Sequence, residues 1–170
     1  MLIGHMAKLA ALNNIPNPPL AVSIFSVMNA LGRPPAGWVS DKLGRFGRPL
    51  TMTVFFTAQG PLFYALSTPL ASIPWLFFLT VAALGFFYGS GLALFPAATG
   101  DFFGLKHLSE NYSLIFIGWG LSGLLFPSLG SYIVDSTGGY ELALILSSIL
   151  SVAGVLVNLY LKKRLALYLE

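Results

Sequence analysis

The sequence predicts an all-α protein, a polytopic bundle of membrane-spanning helices, and three observations carry that prediction. The first is composition. Of 170 residues, 56% are hydrophobic and 9% charged, against about 25% charged residues in a soluble globular domain, and the mean hydropathy is +0.79. So few charges cannot coat a water-soluble fold, which excludes a soluble enzyme. The second is the length of the apolar runs, since a helix needs about 20 such residues to cross roughly 30 Å of hydrocarbon. The third is that these runs are bounded by Pro, Gly or charge and lack the alternation of barrel strands, which are also about half as long.

Taken in order, Met1 to Leu12 is apolar but too short to span, and it has neither the basic start nor the cleavage site of a signal peptide. It reads as the end of a truncated transmembrane helix (residues 1–12), which makes the chain a fragment. Five full spans follow in residues 19–161: Pro19 to Ser40, Pro49 to Ser67, Pro74 to Gly100, Tyr112 to Val134 and Glu141 to Leu161. Residues 162–170 form a tail with the Lys162, Lys163, Arg164 cluster.

Topology follows from the basic residues, which concentrate in cytoplasmic loops. Lys42, Arg45, Arg48, Lys106, Lys162, Lys163 and Arg164 all fall on one side of a five-span arrangement, and Lys8 alone falls on the other. The expectation is a multi-pass protein of the cell membrane with its C-terminus in the cytoplasm. The lipid bilayer is therefore its surroundings, and a net charge of +3 without a long basic run argues against nucleic acid as a partner.

Several chemistries are absent from the sequence. There is no cysteine, so no disulfide, thiol nucleophile or thiolate metal site. His5 and His107 stand alone without companions at metal-ligand spacing, and no P-loop is present, so neither a metal nor another cofactor is expected.

The most informative string runs from Gly37 to Pro49. Gly37 permits close helix approach, Gly44 and Gly47 permit tight turning, and Asp41 can pair with Arg45. This loop resembles the signature of the major facilitator superfamily, Gly-x-x-x-Asp-Arg/Lys-x-Gly-Arg-Arg/Lys, at Gly37, Asp41, Lys42, Gly44 and Arg45, and departs from it where Phe46-Gly47 intervenes before Arg48. The resemblance implies a partial major facilitator fold in which those five residues form a conformational latch for alternating access. The alternative is a basic turn that only sets orientation.

Longer strings, Asn29 to Arg33, Asp101 to Ser113, Gly118 to Gly123 and Asp135 to Ala143, resemble the C-terminal half of the oxalate/formate antiporter and monocarboxylate transporter group. On that resemblance the N-terminal stub ends helix 7 and the five spans are helices 8 to 12. A placement as helices 2 to 6 of an N-terminal half has the same parity.

Arg33 lies well inside an apolar run, where a cation is costly unless it faces a cavity or reaches the interface. Ser26, Asn29 and Arg33 share a helical face with Gly37 below them, as expected of a helix lining a polar path. Snorkelling of Arg33 to the headgroups is the competing reading. The resemblance implies that Arg33 binds a substrate carboxylate, which suits the bidentate geometry of a guanidinium. Oxalate carriers place a lysine where Trp119 stands here, so the resemblance implies one buried cation and one carboxylate.

Trp119 shares a face with Phe116 and Tyr112 and either lines the cavity or packs against lipid or a neighbouring helix. Tyr88, among Gly85, Gly89, Ser90 and Gly91, completes the candidate substrate set of Arg33, Asn29, Trp119 and Tyr88. The glycines of that helix, and Gly118, Gly120 and Gly123 in the next span, read as packing surfaces. Gln59 and Asn158 read as interhelical hydrogen-bonding amides.

The expected function is secondary active transport, by alternating access, of a small organic anion, with a coupled proton or counter-anion and a missing N-terminal half as partners. The alternatives are a non-transporting half-carrier or subunit of a membrane assembly, and a facilitator carrying a non-carboxylate solute.

Overall fold

The computed structural model describes the backbone of residues 2–168 and the side chains of residues 4–164 other than residue 45. Every described element is helical, and the order is α1 (Leu2–Leu12), α2 (Pro18–Lys42), α3 (Gly47–Leu66), α4 (Pro74–Phe103), α5 (Leu108–Thr137) and α6 (Glu141–Tyr168). Short 3-10 turns at Gly44–Phe46, Pro69–Ser72 and Leu105–His107 join three of the pairs.

Local chemistry explains the boundaries. α2 opens on Pro18-Pro19 after a left-handed Asn17, and α4 opens on Pro74 after an extended Ile73, because proline suits the first helical turn and needs no donor there. α5 stops at Gly138, whose φ of 78° lets its N–H return to the Val134 carbonyl at 2.8 Å.

The helices run past several expected span ends. α5 begins at Leu108 rather than Tyr112, and α6 continues through Lys162 to Arg164 to Tyr168, where Leu, Lys, Arg and Ala favour helix and neither Gly nor Pro interrupts.

Three stretches, Pro74–Phe103, Leu105–Thr137 and Glu141–Arg164, are long and apolar enough to cross a membrane. The other two expected spans are present as helices of 25 and 20 residues, α2 and α3. Their hydropathy is lowered by Asn29, Arg33 and the Pro34-Pro35 pair in α2 and by Arg48, Gln59 and Pro61 in α3.

The closest packing is α2 against α4. A Cβ added at Gly85 or Gly89 of α4 would strike the carbonyls of Phe25 or Asn29, and one at Gly32 of α2 would strike the Phe86 carbonyl. Only glycine lets the two backbones touch there. Ser90 then donates to the Gly32 carbonyl at 2.9 Å across the crossing.

Beside this seam lies a core of Met6, Leu9, Ala21, Phe25, Phe77, Val81, Leu84, Tyr140 and Leu144, drawn from α1, α2, α4, α6 and the turn before α6. A second cluster of Ala36, Met52, Leu94 and Ala98 closes the other end of the α2–α3–α4 contact.

α6 packs on α3, where Asn158 donates to the Pro49 carbonyl at 3.3 Å, as its reading as an interhelical amide expects. Gln59 forms no such bond among the described residues. α5 is the loosest member, with only Gly130 and Val134 buried. Gly118, Gly120 and Gly123 meet nothing within 4 Å among the described residues, so within this chain they do not form the packing surface expected of them.

Candidate functional site

Arg33 and Asn29 sit one turn apart on α2, and the Arg33 guanidinium donates from Nη2 to the Asn29 Oδ1 at 3.0 Å. Asn29 is half-buried because its backbone lies against Gly89, whereas Arg33 is exposed. Ser26, expected on the same face, instead returns its hydroxyl to the Val22 carbonyl at 2.8 Å, the usual way a helical serine satisfies itself in an apolar setting.

The second pair is on α4 and α5. Trp119 Nε1 donates to the Tyr88 hydroxyl at 3.3 Å, and Tyr88 packs on Phe25 of α2 with ring centroids 5.9 Å apart. The expected aromatic face of α5 is present, with Phe116 5.0 Å from Trp119 and 5.4 Å from Tyr112 between centroids.

The structure therefore joins Asn29 to Arg33 and Tyr88 to Trp119. It sets the two pairs on adjoining helices, because Gly89, next to Tyr88, touches the Asn29 backbone. No hydrogen bond among the described residues runs directly from one pair to the other.

At the turn between α2 and α3, Gly44 adopts a φ of 69°, the left-handed conformation that favours glycine. The roles expected of Gly37 and Gly47 are corrected. A Cβ on Gly37 would meet nothing within 4 Å, whereas one on Gly47, which is right-handed helical with φ −59°, would strike the Ser40 carbonyl. Gly47 is the close-approach glycine, because the chain doubles back from α2 into α3 against Ser40. Gly37 contributes its carbonyl, which accepts from the Ser40 hydroxyl at 2.8 Å and from Arg48 Nη1 at 3.4 Å.

The partner that Asp41 shows is Arg48. Arg48 Nη2 pairs with Asp41 at 2.5 Å, its Nε donates to Asp101 Oδ2 at 3.0 Å, and its Nη1 also reaches the Ser40 hydroxyl. The Arg45 side chain, expected to pair with Asp41, lies outside the described residues. Lys42 stands over the Trp38 ring, with Nζ 3.7 Å from the centroid, a cation–π contact.

Arg48, Ser40 and Asp101 are the residues that the motif reading missed. Arg48 lies one step beyond the pattern, and Asp101 lies 53 residues further along the chain. Parity offered a signal, since it places Asp41, Arg48 and Asp101 at the same end of the bundle. His107 pairs with Glu110 at 3.1 Å, and among the described residues no group of three His, Cys, Asp or Glu side chains could hold a metal.

Chemically, the arrangement offers a cation partnered by a neutral amide, a pair of aromatic hydrogen-bonding groups on adjoining helices, and a guanidinium tying three helices at one end. The model of the Major Facilitator Superfamily matches residues 15–166.

The uncharacterized MFS-type transporter YhjX of Escherichia coli is 31% identical over 122 residues, covering 72% of this chain and 28% of its own. The oxalate:formate antiporter of Oxalobacter formigenes is 31% identical over 133 residues, covering 78% and 31%. Monocarboxylate transporter 12 of Xenopus laevis is 30% identical over 127 residues, covering 74% and 27%. The chain thus spans about three tenths of the length of these relatives. With three helices able to cross a membrane and a family match over nearly its whole length, the chain is a multi-pass membrane protein and belongs to the Major Facilitator Superfamily.

Proposed function

We propose that this chain is the C-terminal part, helices 8 to 12 with the end of helix 7, of a secondary carrier that moves a small monocarboxylate across the cell membrane by alternating access. The carrying observation is that Arg33 donates to a neutral amide, Asn29, and is paired with no carboxylate among the described residues. A guanidinium whose charge is left uncompensated inside an apolar helix is stabilised by an anion, and a carboxylate matches its geometry bidentately. Asn29 holds one edge of the guanidinium, leaving other donors to face a ligand, with Tyr88 and Trp119 as the neighbouring wall.

Two similar proteins are named for oxalate with formate and for monocarboxylates. The single cation on this face favours one carboxylate over two. The open flank of α5 supports a site completed by further helices, those of an N-terminal half, because a binding site near the midplane needs both walls. The basic turns support a cytoplasmic C-terminus. At the α2–α3 turn, the network of Gly37, Asp41, Lys42, Gly44 and Arg45, extended to Arg48 and Asp101, acts as the latch for one conformation. Coupling is to a proton or a counter-anion.

The test is uptake by the full-length carrier in proteoliposomes. Arg33→Leu lowers kcat/KM for a labelled monocarboxylate on the order of a hundredfold, equivalent to ~3 kcal/mol. Arg33→Lys retains part of it, because an ammonium keeps the charge without the fork. Uptake that Arg33→Leu leaves unchanged, or that short carboxylates do not compete with, refutes the proposal.

A further inference from the structure

α1 and α5 are tied together by a histidine held at both ring nitrogens. His5 of α1 has Nε2 3.2 Å from the Pro127 carbonyl of α5 and Nδ1 2.8 Å from the hydroxyl of Tyr140, in the turn before α6. The two rings lie 5.5 Å apart between centroids. A carbonyl only accepts, so Nε2 carries a hydrogen and donates it. In the neutral ring Nδ1 is then the acceptor, and the Tyr140 hydroxyl donates to it.

Adding a proton at Nδ1 makes both nitrogens donors, and the same hydroxyl can accept once its own hydrogen turns away. The ring is thus held in one place in both charge states. A lone carbonyl or carboxylate partner in place of the hydroxyl would favour one state over the other.

The surroundings fix the state of the hydroxyl. Tyr140 is buried, and burial, followed by the nearby Asp135 carboxylate, pushes its hydroxyl above the ordinary tyrosine range, so it stays a neutral hydroxyl at working pH. α2 contributes Ala21 and Phe25 to this core, α4 contributes Phe77 and Val81, and α3 contributes Leu66. The charged groups nearby are Lys8 on α1, Asp135 on α5 and Glu141 on α6, all exposed.

Asp41 and Asp101 serve Arg48, and the exposed His107 pairs with Glu110. His5 is the one described histidine enclosed between helices, and its bond to Pro127 reaches about three turns inside the end of α5.

We propose that His5, held between the Pro127 carbonyl and the Tyr140 hydroxyl, is the proton-binding site through which the carrier couples carboxylate movement to a pH gradient. The proposal rests on the transport reading above and identifies its coupling ion as a proton. The exchange is with solvent: an N–H bond forms at Nδ1 when water at one face delivers a proton, and breaks when water at the other face takes it. The tie between α1 and α5 persists in both states, so the charge travels with the conformational change.

The experiment uses the full-length carrier in proteoliposomes, with labelled lactate and labelled formate as probes, in two assays. One is accumulation driven by an inward proton gradient, and the other is exchange of the same carboxylate at equal pH on both sides. Wild type is expected to do both, and His5→Gln is expected to keep exchange while losing the response to the gradient. Tyr140→Phe is expected to keep exchange and to weaken the response to the gradient, since the ring protonated at Nδ1 loses the hydroxyl that accepts from it.

Gradient-driven accumulation that survives in His5→Gln overturns the proposal, as does loss of exchange in that variant or a gradient response in Tyr140→Phe equal to that of wild type. Wild type that exchanges carboxylate without responding to the gradient also overturns it while leaving the transport reading intact. No exchange of either probe by wild type overturns both.

Discussion

The guanidinium of Arg48, at the start of α3, donates to the carboxylate of Asp101, at the end of α4, at 3.0 Å. The same guanidinium pairs with Asp41 at the end of α2, so one side chain, only 16% exposed, fastens the ends of three helices through two carboxylates that are themselves more than half exposed. Isolated surface ion pairs contribute little. A shared, largely covered guanidinium is different, because removing it leaves two acids without their common counter-charge and takes from the Ser40 hydroxyl the donor it accepts from.

Replacing Arg48 by Ala should therefore slow transport severalfold and change which face of the carrier is open. Arg48→Lys should not restore it, since an ammonium cannot bridge two carboxylates in a fork. This chain has no cysteine, so single cysteines placed at either end of its helices, in a carrier whose other cysteines have been replaced, read the shift by thiol labelling. Unchanged labelling in Arg48→Ala would show that the cluster is only structural.

Gly89→Ala should destabilise the bundle by about 1–3 kcal/mol, because the added methyl meets the Asn29 carbonyl and no side chain can yield in its place. Gly118→Ala, where the methyl meets nothing among the described residues, should be near neutral. Thermal unfolding of the detergent-solubilised protein compares the two.

Asn29→Asp gives Arg33 a carboxylate one turn away, in place of the amide it now meets at 3.0 Å. The guanidinium would then be neutralised internally, and KM for a monocarboxylate should rise by about tenfold, the effect of ~1.4 kcal/mol of lost attraction. Concentration dependence of initial uptake measures it, and an unchanged KM would argue that Arg33 does not meet substrate.

Trp119→Lys adds a second cation, on α5, at the cost of the indole bond to Tyr88. Competition by oxalate against labelled monocarboxylate uptake should strengthen in this variant and not in Trp119→Phe. Equal oxalate competition in both would remove Trp119 from the site.

Much of the molecule was legible beforehand, for identifiable reasons. Arg33 stood out because a cation in an apolar run is rare, and Asn29 because it shares that face one turn away. The helix positions followed from run length, because lipid requires backbone groups to be satisfied within the segment. Illegible were the exchange of roles between Gly37 and Gly47 and the partnership of Arg48, since whether a glycine faces a backbone or open space depends on where the chain doubles back. That Gly118, Gly120 and Gly123 meet no other described residue was hidden for the same reason, because small residues permit contact without supplying a partner.

The sequence by itself determined the class of the protein: composition and run length dictate membrane helices, and short motifs place the family. Tertiary structure decided which residues act together. Only folding brings Arg48 to Asp101, 53 residues apart, Trp119 to Tyr88, and His5 to Tyr140, 135 residues apart. Periodicity describes the faces of one helix at a time, whereas hydrogen bonds between helices depend on how glycine-scale gaps let two backbones approach, which a one-dimensional pattern does not encode.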